Sequence, residues 1–302
     1  MSPSRTYLPW LIHLGLVLTW GSSFILIKQG LEGFSGDSSI VGALRLVVTF
    51  VVLLPVALLR LRKLRRKHWM LLLLIGIISN AAPSFLFAHA QKGIDSNTAG
   101  ILNSLTTLFT LLIGLVFFRI RTKWFNIAGV IAGLLGAVGL IWFSGNGDYM
   151  FNFSYAVFVL LATICYATSV NIIKTYLDDL DAVTITSVSF LLIGLPLSAY
   201  LLFMTDFTEL LSQGRQAWVG LGYISILGVV GTALALVFFN KLIKMTSALF
   251  AASVTYLIPV VAIAWGFLDG EKFEWNYILW VVLIIGGVYL VNRKHIGSKK
   301  NI

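Results

Sequence analysis

The feature that most constrains this chain is a series of ten apolar stretches, each about 20 residues long, the length a helix needs to cross ~30 Å of hydrocarbon. In lipid every backbone amide must find its partner inside its own helix, so such stretches predict membrane spans. They fall at Leu8 to Ile27, Ser38 to Leu59, Trp69 to Ala90, Asn97 to Phe118, Trp124 to Phe143, Tyr155 to Ile173, Val183 to Phe203, Trp218 to Asn240, Thr246 to Leu268 and Asn276 to Val291. Composition agrees: 58% of the 302 residues are hydrophobic and 11% are charged, where a soluble domain is nearer half and a quarter. The expected fold class is an all-α integral membrane protein of ten transmembrane helices. The connections are short, so any function must sit among the helices.

The net charge of +10 suggests nucleic acid only until its distribution is considered. The largest basic cluster, Arg60, Arg62, Lys63, Arg65, Arg66 and Lys67, links spans 2 and 3, which is an orientation signal. With the N-terminus inside, 17 of the 22 Lys and Arg residues lie on cytoplasmic segments and four (Lys28, Lys92, Arg215, Lys272) on the opposite side. Among the carboxylates only Asp178, Asp179 and Asp181 lie inside, and the other nine outside. Both termini are expected in the cytoplasm, with the bilayer rather than nucleic acid as the large partner. The first span is of full hydrophobic length without a small-residue cleavage site and is read as a retained helix. Cys165 is the only cysteine, which excludes an intramolecular disulfide and suits a buried, inert thiol.

The chain also repeats itself. Trp69 and Trp218 both open spans and stand 149 positions apart, and the same offset pairs Lys92 with Lys241, Ile94 with Ile243 and Ala99 with Ala248. Spans 1 and 6 align at an offset of 146, WGSSFILIK against YATSVNIIK, and spans 5 and 10 at 150, GAVGL against GGVYL. The expected units are residues 1–145 and 150–295, five helices each, with 296–302 as a cytoplasmic tail. Five is odd, so the second copy enters the membrane from the opposite side. Inverted repeats of this kind build secondary transporters, in which two halves of similar packing energy expose a shared midplane site to each side in turn.

Several marks together resemble the EamA-type members of the drug/metabolite transporter superfamily, over almost the whole chain. They are Trp20-Gly21-Ser22-Ser23 with Lys28 in span 1, Arg45 in span 2, Pro259 followed by Glu271 around span 9, and the glycine-rich closing spans 5 and 10. The first copy departs from the pattern, with Thr110 and Thr122 where the second has Pro259 and Glu271. The resemblance implies a basket of helices 1, 3, 4, 6, 8 and 9 around a central cavity, with 5 and 10 as scaffold. It also implies export of amino acids or related metabolites across a bacterial plasma (inner) membrane.

Candidate solute contacts follow from helical spacing. In span 4, Ser96, Gly100, Asn103, Thr107, Thr110 and Gly114 share one face. Such a stripe serves cavity lining and helix packing equally well, and Asn103 and Thr107 are the preferred contacts. The matching positions in span 9 are Ala252 and Tyr256, and Tyr256 joins the set. In span 3, Asn80, Ser84, Phe87 and Gln91 share a face, whereas His89 lies about 180° away from Asn80. His89 is a candidate proton or polar relay, although a lone membrane histidine more often bonds a neighbouring helix. Trp20, with Ser23 beside it, and its repeat partner Tyr166 lie at matched midplane positions, where they can clasp a ligand or simply pack.

Arg45 is the only formal charge well inside a span, and burying it costs at least ~2.5 kcal/mol unless it meets water or a partner. It can hold a solute, or snorkel outward and cap loop carbonyls, the reading its position favours. Lys28 and Lys174 are expected to be solvated anchors at helix ends. Trp10, Trp69, Trp124 and Trp218 read as interfacial belt residues. Gly129, Gly133 and Gly136 permit tight internal packing or a homodimer contact.

His13, His68, His89 and His295 are scattered, and no catalytic constellation, metal cluster or cofactor motif is evident. The ten spans contain no Asp or Glu, which leaves little acid–base machinery for an enzyme. A channel would be expected to show a repeated selectivity ring. The reading is therefore a small-molecule carrier without a cofactor. Amino acids are preferred as its cargo over nucleotide sugars or sugar phosphates, which need more cationic partners. A membrane sensor is the remaining rival.

Overall fold

The computed structural model describes residues 4–118, 123–143, 149–270, 275 and 277–292, and all regular secondary structure among them is helical. In chain order the helices are α1 (Tyr7–Gly33), α2 (Ser38–Arg60), α3 (Arg66–Ala90), α4 (Ser96–Phe118), α5 (Trp124–Phe143), α6 (Phe153–Tyr176), α7 (Ala182–Phe203), α8 (Arg215–Met245), α9 (Phe250–Leu268) and α10 (Tyr277–Asn292). Among the described residues all but α5 and α10 are long and apolar enough to cross a membrane; the described apolar parts of those two, Trp124–Gly136 and Ile278–Gly287, are shorter. Thr122, Glu271, Lys272, Asn276 and both chain ends lie outside the described residues.

Local chemistry sets the helix starts. Asp37 accepts from the amides of Ser39 and Ile40 at 2.7 and 3.2 Å, and Asp181 from that of Thr184 at 3.0 Å, so α2 and α7 each begin on a carboxylate cap. The outer surface is apolar: Leu14, Leu18, Val51, Leu59, Phe117, Ile131, Leu195 and Phe203 are all exposed, as a lipid-facing surface requires. Trp10, Trp69, Trp124 and Trp218 are exposed too. Polar groups turn inward and bond across helices. Asn171 donates to the carbonyl of Thr110 as well as to that of Ala167 in its own helix, and Asn240 to the hydroxyl of Thr186.

α5 runs along α10, α2 along α7, α1 against α8, α4 against α9, and α6 against both α3 and α4. Glycines permit the closest of these contacts. A methyl on Gly136 would stand 2.9 Å from the Trp280 carbonyl, and one on Gly287 would stand 2.6 Å from the Gly133 amide nitrogen. The glycine face of α5 is thus spent on internal packing.

The helices around the centre are interrupted. α3 widens into a π turn at Gly76–Ala81 and α8 at Leu227–Leu234. α4 stops at Asn103 and resumes at Thr106, whereas α9 passes through a 3-10 turn at Ser253–Tyr256 before resuming at Ile258. α4 therefore breaks without a proline. α1 is interrupted at Ser22, while α6 belongs to an unbroken helix that starts at Tyr149.

Ion pairs tie the connections at each end. At one end Lys67 and His68 meet Asp179 at 2.7 and 3.1 Å, and Arg60 meets Asp181 at 3.3 Å. The hydrogen bonds from Lys67 first, and then from His68, hold the Asp179 carboxyl down at about 2. At the other end Lys28 pairs with Asp269 at 2.5 Å, and Gln216 donates to the Glu32 carbonyl at 2.9 Å. Lys174 donates to the carbonyls of Ile243 and Thr246. Lys28 and Lys174 are thus bonded cross-links between helices, where sequence suggested solvated anchors.

Candidate functional site

A central cavity is lined by α1 (Trp20, Ser23, Phe24, Ile27), α2 (Arg45, Leu46), α3 (Ser79, Asn80, Phe87), α4 (Asn103, Thr106), α6 (Tyr166, Ser169, Val170), α8 (Thr232, Leu236, Phe239) and α9 (Ala252, Thr255). Counted over the centres of water-sized spheres its volume is about 70 Å³, several times the ~10–15 Å³ that one water needs. Helix α2 joins the wall, although the resemblance implied only helices 1, 3, 4, 6, 8 and 9.

The π turn of α8 builds one side. A wide turn leaves carbonyls outside the regular ladder, and each needs a donor. The indole of Trp20 donates to Gly231 O at 3.0 Å and the hydroxyl of Thr49 to Gly228 O at 2.9 Å. Thr232 gives its own proton to Leu227 O at 3.0 Å. Its oxygen is then free to accept, and Arg45 Nε donates to it at 2.8 Å. The Tyr166 ring lines the same cavity. Arg45 therefore faces the cavity, held by the neutral Thr232 hydroxyl, instead of snorkelling outward. Among the described residues no carboxylate pairs with it.

Aromatic rings close the apolar part. Phe239 meets Trp20 edge-on with centroids 4.8 Å apart, and Phe87 lies between Phe24 and Tyr166 at 5.7 and 6.0 Å. Trp20, Ser23, Asn80, Asn103 and Tyr166, all named from sequence, meet at this cavity.

Other expected contacts lie elsewhere. Thr107 is fully buried in helix packing, donating to Ala252 O at 2.9 Å and lying 3.2 Å from the Thr255 hydroxyl. The two non-helical residues Ser104 and Leu105 shift the phase of α4, so Thr106 takes the lining position. Ser84 donates to Gly42 O at 3.0 Å and links α3 to α2, because the π turn upstream brings the adjacent residues Ser79 and Asn80 to the wall together. His89 packs against Tyr155 and Phe158, with centroids at 5.5 and 4.6 Å, and is not among the lining residues. Tyr256 ends the 3-10 turn of α9, and its side chain is outside the described set. Thr232, Phe239 and Thr255 were missed; the one sequence signal was a threonine alone in the apolar run LGVVGTALAL.

The lining positions are related by the sequence offsets. Trp20 and Tyr166, Ser23 and Ser169, and Phe24 and Val170 are pairs at 146; Phe87 and Leu236, Asn103 and Ala252, and Thr106 and Thr255 are pairs at 149. Both members of every pair line the same cavity.

Comparison with known proteins gives the same outline. The EamA-like transporter family matches twice, over residues 9–142 and 153–293. The chain is 25% identical over 299 residues to the "Uncharacterized inner membrane transporter YedA" of Escherichia coli, spanning 92% of this chain and 91% of that protein. It is 24% identical to a "Probable terminal-alkyne amino-acid exporter" of Streptantibioticus cattleyicolor (94% and 93% covered) and 25% identical to a "Probable amino-acid metabolite efflux pump" of Salmonella typhimurium (92% and 93% covered). A solved crystal structure 15% identical in sequence superposes with a TM-score of 0.65 over 94% of this chain and 96% of that one, a likeness of fold.

Proposed function

We propose, on the premise that this chain belongs to the EamA-like transporter family of the drug/metabolite transporter superfamily, that it exports amino acids or related small metabolites by alternating access. It is a membrane transporter rather than an enzyme. In this reading ten spans form two inverted five-helix halves, residues 1–145 and 150–295, in a bacterial plasma membrane with both termini in the cytoplasm. One observation carries the proposal: seven helices drawn from both halves enclose a single cavity, and six pairs of its lining positions match across the repeat offsets. Two similar walls around one site are what exchange of access between two faces requires.

The amino-acid preference draws on the names of two relatives and on the cavity itself. A nucleotide sugar or sugar phosphate brings two or more negative charges and needs matching cations, whereas Arg45 is the only cation among the lining residues. Purified protein in sealed vesicles tests the reading. Preloaded amino acid should drive saturable counterflow of a labelled trace, and in cells overexpression should raise tolerance to the solute carried. Linear, non-saturating flux without counterflow would mean a channel, and no flux of any solute would favour a sensor.

A further inference from the structure

The polar groups of the cavity differ in how fully their hydrogen bonds are made. Arg45 spends Nε on Thr232 at 2.8 Å, which ties the guanidinium to the wall and leaves its two terminal nitrogens to a ligand, while no described carboxylate neutralises it. A guanidinium held this way presents a fork that fits a carboxylate in bidentate fashion.

The rest of the wall is rich in acceptors. Ser23, Thr106, Ser169 and Thr255 each give their proton to a carbonyl of their own helix, those of Thr19, Asn103, Tyr166 and Ala252, and keep oxygen lone pairs. Asn80 is 6% exposed, and its Oδ1 is buried without a hydrogen-bond partner. Its amide orientation follows from its neighbour. Ser189 commits its proton to Thr186 O at 2.9 Å, so it can only accept, and Asn80 Nδ2 donates to it at 3.4 Å. The oxygen of Asn80 is therefore the group left wanting a donor, and an unpaired buried acceptor of this kind is costly until a ligand satisfies it.

We infer that Arg45 is the carboxylate anchor of the solute site and Asn80 the acceptor for an ammonium group, so that the cavity selects a zwitterion carrying one carboxylate, one amine and an apolar side chain. The inference rests on the transporter reading and deepens it. A cation would face Arg45 with no acidic partner in the described wall, and a simple monocarboxylate would leave Asn80 unpaired. The rings of Trp20, Phe24, Phe87 and Phe239 supply the surface for the apolar remainder.

The test compares three probes of the same skeleton, leucine, leucinamide and 4-methylpentanoate, on the full chain. Binding is read by thermal shift in detergent and transport by counterflow in liposomes. Leucine should stabilise the protein and exchange, whereas the amide and the deaminated acid should each compete roughly 10- to 100-fold more weakly, the worth of a hydrogen bond to a charged group. Arg45→Gln should raise the KM for leucine by a similar factor with little change in kcat, the signature of a contact made equally in ground and transition states. It should also erase the preference for leucine over leucinamide. Arg45→Lys should recover part of the loss, since charge remains while the fork is gone.

Equal competition by the amide would overturn the anchor role of Arg45, and equal competition by 4-methylpentanoate that of Asn80; neither comparison needs a variant. Binding without counterflow would sink the transporter reading and leave the site, whereas counterflow confined to solutes without a carboxylate would do the reverse. Absence of both binding and counterflow with leucine would overturn the assignment.

Discussion

The helix pairs α3–α4 and α8–α9 are built alike and furnished differently. Each has a π turn in its first helix and an interruption in its second, at positions related by nearly the same sequence offset. Yet Asn80 of α3 corresponds to Val229, and Asn103 of α4 to Ala252. The shared backbone departures make the wall. The amides that can discriminate among solutes stand on one side of it only. Matching backbone departures thus carry different side chains, and the amides of the wall belong to α3 and α4.

Breaking this asymmetry should have its largest effect at Asn80. Asn80→Ala is expected to raise the KM for counterflow by roughly 10- to 100-fold, the worth of a hydrogen bond to a charged ligand group, while Val229→Ala at the matching position stays within about twofold, as surface or weakly packed changes do. Equal effects from the two would show that the polarity of α3 is irrelevant to solute. Asn103→Ala makes its position match Ala252, and a loss of about tenfold is expected, near the upper end for a neutral hydrogen bond. Full resistance in cells at normal abundance would remove Asn103 from the site.

The aromatic pair sharpens the comparison on stability. Trp20→Phe frees the Gly231 carbonyl inside the π turn and should destabilise the folded protein by about 1–2 kcal/mol, seen as a lower melting temperature in detergent. Tyr166→Phe, which keeps the ring and leaves the Arg45 bond to Thr232 in place, should cost less. The smallest effect lies at the ionic seam, where Lys67 and His68 meet Asp179 across the two halves. The Asp179 carboxyl is held below its ordinary value of 3.8, at about 2. Its contribution is therefore complete above pH ~4 and disappears as pH falls through about 2. The pair is exposed, so solvent screening keeps the gain small. Melting curves of Asp179→Asn and the unaltered protein should differ slightly at pH 6 and converge on acidification.

Much of the frame was legible because the membrane imposes it. Length and apolarity placed the helical stretches, with α3 beginning at Arg66 where Trp69 was expected and both ending at Ala90. The repeat offsets identified Trp20 and Tyr166 as partners, and both reach the cavity. What the sequence hid was phase. A regular 3.6-residue period put Thr107 and Ser84 on the cavity face, but the break at Ser104–Leu105 and the π turn at Gly76–Ala81 redirect the side chains around them. The break in α4 has no proline to announce it, whereas the π turn of α3 lies just ahead of Pro83, which has no amide proton to give to the Ser79 carbonyl. Arg45 was misread toward snorkelling because its partner, Thr232, lies 187 positions away on a turn whose shape no local pattern encodes.

The guanidinium on the cavity wall has an electrical consequence. A charge that crosses the whole bilayer field gains or loses ~2.3 kcal/mol per 100 mV, and one that traverses part of the field gains a proportionate share. If the protein alternates access as proposed, a negative cell interior would draw the empty carrier, with Arg45 unneutralised, toward the orientation that opens to the cytoplasm. Export as proposed loads there, so the resting voltage itself would return the vacant protein to its starting posture.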